Sequence, residues 1–259
     1  MNKEEFRDFI RIRFGLEPEN LPKGCNCTYR PEFNLSHALS CKLGGHVIRR
    51  HNDVRDTTRE LMKQQFTDVS ENEEFLLPLT EEEIKGLKYS TARTGNDARP
   101  DLRIGGLFQS GQQAYTDFYI FDSAAPSYLG TDLEQVYKER EAVKNRAFEE
   151  RIRNIDHGKF YPSVASTCGG LAKQFDDSLS ILAEKLSEHH DMAYSHLKML
   201  MRVKVQFSII RGVVRCIRGT RRRKTITKLN MQDPFLRGME SANVEPISSI
   251  VTYKNLNYS

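Results

Sequence analysis

No stretch of this 259-residue chain approaches the ~20 consecutive apolar residues that a membrane span needs. The first residues, MNKEEFRDFIRIRF, are charged throughout, where a secretory leader would place an apolar run. Secretion and membrane partners are therefore not expected, and the predicted compartment is nuclear or cytoplasmic. Cysteine is scarce as well. The five cysteines are an odd number, with Cys25, Cys27 and Cys41 crowded together and Cys168 and Cys216 isolated. That distribution excludes the paired framework of a small secreted domain and points to reducing conditions. The two isolated thiols read as packing residues.

The third absence is of acid. Between Met192 and Gln232 there is no aspartate or glutamate, while Lys198, Arg202, Lys204, Arg211, Arg215, Arg218, Arg221, Arg222, Arg223, Lys224 and Lys228 all fall there. Acidic side chains gather instead in the runs 71–74 and 81–83. The net charge is only +4, so asymmetry says more about partners than the sum does. A polyanion is the expected partner: DNA, with RNA as the alternative. The run RGTRRRK reads equally well as a nuclear localisation signal.

What is present suits one sizeable core. Apolar residues make up 38% and charged residues 29%, with no internal repeat and no low-complexity segment. Phe6, Ile10 and Phe14, spaced by four, predict a short amphipathic helix within residues 1–22. Residues 23–45 hold a Cys/His cluster closed by Gly44-Gly45, and helical spacing follows through Val47, Val54, Leu61 and Met62. Two strand-like runs, DLRIGGLF and AYTDFYIFD, flank the turn signal SGQQ and predict a hairpin. Helix returns from about Asp132 to Ile155, FYPSVAS reads as a strand, and helices follow; His157 reads as a helix-ending residue. The order implies an α/β fold, with the main domain over 46–190 and a basic helical extension and tail over 191–259.

Cys25-x-Cys27, nine intervening residues, and His37-x3-Cys41 supply four ligands at spacings a tetrahedral zinc closes. His46 and His51 lie near enough in sequence to compete with His37. A structural zinc suits a loop with too few apolar residues to fold alone. Asp101 opens the first strand of the hairpin, and Asp117 sits inside the second among apolar residues, where an unpaired carboxylate is costly to bury. A hairpin register bringing the two acids together makes a magnesium site of the kind used in phosphodiester hydrolysis. The alternatives are a turn role for Asp101 and an arginine partner for Asp117. A lysine to neutralise developing phosphate charge is available in YKEREAVKNRAFEERI as Lys138 or Lys144.

The ordered set CNCTYRPEFNLSHALSCKLGGHVIRRHNDVRD, ARPDLRI, YTDFYIFDSAAPS and KNRAFEERIRNIDHGKFYPSVASTCGG resembles the C-terminal region of non-LTR retrotransposon polyproteins that carry a restriction-like endonuclease. The likeness runs from about residue 3 to about residue 224. It implies a restriction-endonuclease-like mixed sheet flanked by helices, a linker over residues 1–22, a zinc knuckle at Cys25, Cys27, His37 and Cys41, and a PD-(D/E)XK-like site. In that site Asp101 and Asp117 would bind Mg or Mn and Lys144 would be the lysine, with Lys138 next. The family's more usual lysine position, two residues after Asp117, is Tyr119 here. Arg49, Arg50 and Arg55 after the knuckle, with Arg215, Arg218, Arg221, Arg222 and Arg223, are the expected DNA-gripping residues. No Tyr-x-Asp-Asp polymerase signature is present, so the chain reads as a terminal fragment, a remnant or a domesticated gene.

Overall fold

The computed structural model describes residues 2–27, 32–71, 79–89, 99–128, 130–190 and 192–220. Arg221, Arg222, Arg223 and the tail after them lie outside the described residues, and the compact unit runs from Met1 through Arg222.

Seven α-helices and four strands are formed by the described residues: α1 (Lys3–Arg13), α2 (Leu35–Ser40), α3 (His46–Met62), β1 (Val69–Glu71), α4 (Glu81–Gly86), β2 (Leu102–Gly105), β3 (Gln113–Phe121), α5 (Leu133–Asn154), β4 (Lys159–Ser166), α6 (Lys173–His189) and α7 (Tyr194–Arg218). The strands form one mixed sheet in the order β1-β2-β3-β4. β1 and β2 pair antiparallel, as do β2 and β3, whereas β3 and β4 run parallel, as a crossover through α5 requires. Pro162 sits in β4, an edge strand of this sheet, where a missing N–H is tolerated.

Alternation along β3 assigns the two faces. Tyr115, Tyr119 and Phe121 pack toward α5 with Phe160, Val164, Val136 and Ile152. Ala114, Phe118 and Ile120 join Tyr161 and Ala165 in the larger core, with Val54, Leu61, Met62, Phe175, Leu179, Val205 and Ile209 from α3, α6 and α7. The sheet therefore lies between α5 and a layer of three helices. No helix among the described residues is long and apolar enough to cross a membrane.

Three expectations change. The apolar positions expected to face inward in α1 do not do so: Phe6 and Phe14 are exposed, and Asp8, Phe9 and Ile12 are buried. An ion pair stands on the buried face beside Phe9 and Ile12. Arg218, at the end of α7, donates from Nε and Nη2 to the two carboxylate oxygens of Asp8, each at 2.7 Å, and ties α1 to α7. Secondly, α7 is no extension: it packs along α3 and α6, burying Leu197, Met201, Val205, Ile209, Val213 and Cys216 at helical spacing. Thirdly, β1 and α4 had no counterpart in the sequence reading, being too short for a periodic signal; α4 starts with a Thr80/Glu83 capping box.

Candidate functional site

The Cys/His cluster is built by α2 and the loop before it. Asn34 caps α2 by accepting from the His37 N–H, so His37 stands in the first turn and Cys41 at the last residue's exit. Cys25 and Cys41 Sγ lie 3.8 Å apart, and Cys27 Sγ lies 3.9 Å from His37 Nε2. All four ligand atoms fall within 4.8 Å of one another. A tetrahedral zinc with thiolates at about 2.3 Å holds its ligands roughly 3.8 Å apart, so the arrangement fits that ion. Burial, together with the neighbouring thiols, pushes the Cys25 thiol up, and a bound cation reverses that penalty. His46 and His51 do not join the cluster. His46 is buried with Nε2 3.1 Å from the Thr220 carbonyl, and His51 points elsewhere.

That other place is the carboxylate pair. In the β2–β3 ladder Leu102 faces Thr116, so one further step of the same register sets Asp101 opposite Asp117. The Asp101 N–H still donates to the Thr116 carbonyl at 2.8 Å, but its side chain then takes over the pairing: Oδ2 accepts from the Phe118 N–H at 2.7 Å. Pro100 cannot continue a ladder, and the strand starts here for that reason. His51, one turn into α3, sets Nε2 3.1 Å from the same Oδ2 and packs its ring edge-on to Phe118.

Asp117 faces α5, and Lys144 Nζ lies 2.5 Å from its Oδ2. Apart from that ammonium, this buried oxygen has no hydrogen-bond partner among the described residues. Burial pushes Asp117 up to about 6, aided by the charge of Asp101 and opposed by Lys144 and His51. His51 is raised: burial disfavours its cation, but the hydrogen bond and charge of Asp101, with the charge of Asp117, outweigh that. Among the described residues Asp117 Oδ2 therefore relies on the Lys144 ammonium alone, with the Asp101 carboxylate across the ladder from it. Lys138 faces solvent, paired with Glu134 at 2.9 Å, so of the two candidate lysines only Lys144 reaches the acids.

The expected nucleic-acid arginines divide. Arg50 is a correction: it is buried between the sheet and α7, donating toward the Leu39 and Ile120 carbonyls at 3.4 Å, and no phosphate reaches it there. Arg218 is occupied by Asp8 and by the Glu19 and Asn20 carbonyls, and Arg215 by Asp53. Arg55 pairs with Asp56 and Glu71. Arg49 is exposed, with no carboxylate within ion-pair distance among the described residues.

His51 is the residue the sequence reading missed at this site. Its only signal was its position in a helix directly after the cluster, which does not reveal that α3 crosses the sheet beside Asp101. No protein-family model matches the chain, and no curated protein matches it.

Proposed function

We propose that this chain is a metal-dependent DNA endonuclease of the restriction-like, PD-(D/E)XK-like class, related to the nuclease region of non-LTR retrotransposon polyproteins, with a structural zinc at Cys25, Cys27, His37 and Cys41. The observation that carries the reading is the register that sets Asp101 opposite Asp117 with Lys144 upon the second acid. Asp101 and Asp117 would hold Mg or Mn, which supplies charge neutralisation at the phosphate and acidifies water. Lys144 would place an ammonium where negative charge develops on the phosphate. His51 holds the Asp101 carboxylate through its Nε2, and that carboxylate in turn favours the imidazolium form. The Tyr119 ring lies beside the Lys144 ammonium, 5.5 Å from Nζ to the ring centroid. The expected product is a nick.

A noncatalytic DNA-binding role is the second reading. The observation in its favour is that both acids already have side-chain partners, His51 for Asp101 and Lys144 for Asp117, within the chain. Nicking of supercoiled plasmid with magnesium or manganese separates the two. Metal-dependent nicking lost in Asp101→Ala and Asp117→Ala, with DNA binding retained, is the expected outcome. Binding without cleavage under either metal would decide for the noncatalytic role, and cleavage undiminished in both variants would place the chemistry elsewhere.

A further inference from the structure

Helix α5 turns Tyr137, Arg140, Glu141 and Lys144 toward the sheet, and three of these four have assigned partners. The Tyr137 hydroxyl donates to Ser166 at 2.8 Å, Glu141 accepts from the Gln174 N–H at 2.8 Å at the start of α6, and Lys144 pairs with Asp117. Arg140 is the exception. Its guanidinium lies over the ring of Tyr128, 5.2 Å from the centroid, and no carboxylate among the described residues is within ion-pair distance. Its Nε is buried with no hydrogen-bond partner. A buried donor left unmatched costs free energy, so the guanidinium is held in place by its ring contact rather than by an acid. Tyr128 is held in turn, its ring edge-on to Phe121 at 5.6 Å, so the guanidinium rests on a fixed surface.

Arg140 stands four residues before Lys144, about 6 Å away along the helix axis. A planar guanidinium stacked on an aromatic ring keeps its outer N–H groups free and pre-oriented for bidentate binding of a phosphate. From this geometry we infer that Arg140, held by Tyr128, is a phosphate clamp for the DNA strand, gripping a backbone phosphate neighbouring the one that Lys144 faces. The assignment of that neighbour rests on the nuclease reading; the clamp itself is read out by binding alone.

The test is binding of a labelled short DNA duplex to the full chain across a salt series, with Asp117→Asn present throughout to prevent cleavage. Arg140→Ala is expected to weaken binding about tenfold and to lower the slope of log affinity against log salt by about 1, while melting as the parent does. Arg140→Lys restores the slope but not the full affinity, because an ammonium keeps the charge without the fork. Tyr128→Leu weakens binding with the slope unchanged. Lys138→Ala, two positions earlier on the solvent face, leaves the slope in place. An unaltered slope in Arg140→Ala, an equal loss in Lys138→Ala, or no DNA binding by the parent overturns the clamp. If the chain without Asp117→Asn fails to nick plasmid while the Arg140→Ala effect holds, the nuclease reading fails and the clamp stands.

Discussion

Burial of Asp117 beneath α5 makes its ionised form costly, and the consequence is measurable. With its folded value pushed up to about 6, above the ordinary 3.8, the residue favours folding fully below about pH 4, and that contribution is lost as pH rises through 6. Asp117→Asn, which resembles the protonated acid, is therefore expected to raise the melting temperature of the metal-free protein at pH 7.5, by the equivalent of about 1–3 kcal/mol. The gain should shrink toward pH 4.5, and under the proposed nuclease function the variant should not nick at any pH. A lower melting temperature at pH 7.5 would mean that the Lys144 pair stabilises more than the burial costs. For the magnesium of the proposed nuclease site the same proton would be a competitor, so affinity measured by calorimetry is expected to climb between pH 5 and pH 7. His51 behaves in the opposite sense to an ordinary acid pair: its raised value adds stability that is complete below about 6.5 and disappears as pH rises through the folded value. Urea melts of His51→Gln should show a deficit below the ordinary imidazole value that closes as pH rises through the raised folded value.

Helix α3 links the cysteine cluster to the acids. It leaves Cys41 through Gly44 and Gly45, both at positive φ (84° and 69°), and a side chain at Gly44 would stand 2.9 Å from the His46 ring. One turn later Arg50 spans from the α2 carbonyl of Leu39 to the β3 carbonyl of Ile120, and His51 reaches Asp101. The space for Arg50 is provided by Gly212 in α7, where an added Cβ would come within 2.5 Å of Arg50 Cγ and 3.1 Å of its Cα. Because one of those neighbours is backbone, the two helices must separate. Gly212→Ala is expected to cost about 1–3 kcal/mol in denaturant unfolding despite alanine's better helix propensity. A neutral result would show that α3 and α7 are free to slide.

At the scale of the molecule, the cysteine cluster shares the main core. Cys25, Phe33, Ala38, Leu39 and Cys41 are packed with residues of α3, the sheet, α6 and α7. With the proposed zinc bound at the cluster, its removal is therefore expected to be felt throughout, as one cooperative transition displaced downward, on the order of 10 °C for a loss of several kcal/mol. Scanning calorimetry of the protein with and without a chelator, and of Cys41→Ser, checks this. Two separated transitions would show that the knuckle folds apart from the sheet.

The hairpin, the long helix after it and the Cys/His cluster were legible in the chain because each is a local pattern: period two around SGQQ, period 3.6 across 133–154, and four ligands within seventeen residues. Asp101 and Asp117 were legible for the same reason, since a hairpin register is nearly a local property. What only the tertiary structure decided was every long-range pairing of charge. The tract free of acid along the sequence is not free of it in space: Asp8, Asp53 and Asp176, from α1, α3 and α6, come to Arg218, Arg215, Lys198 and Arg202. Lys144 rather than Lys138 reaches Asp117 because of which face of α5 meets the sheet, and that face is chosen by Val136, Phe148 and Ile152 packing, not by the charges themselves. Composition names the charges; only packing, which sums many weak contacts over distant segments, determines which of them meet.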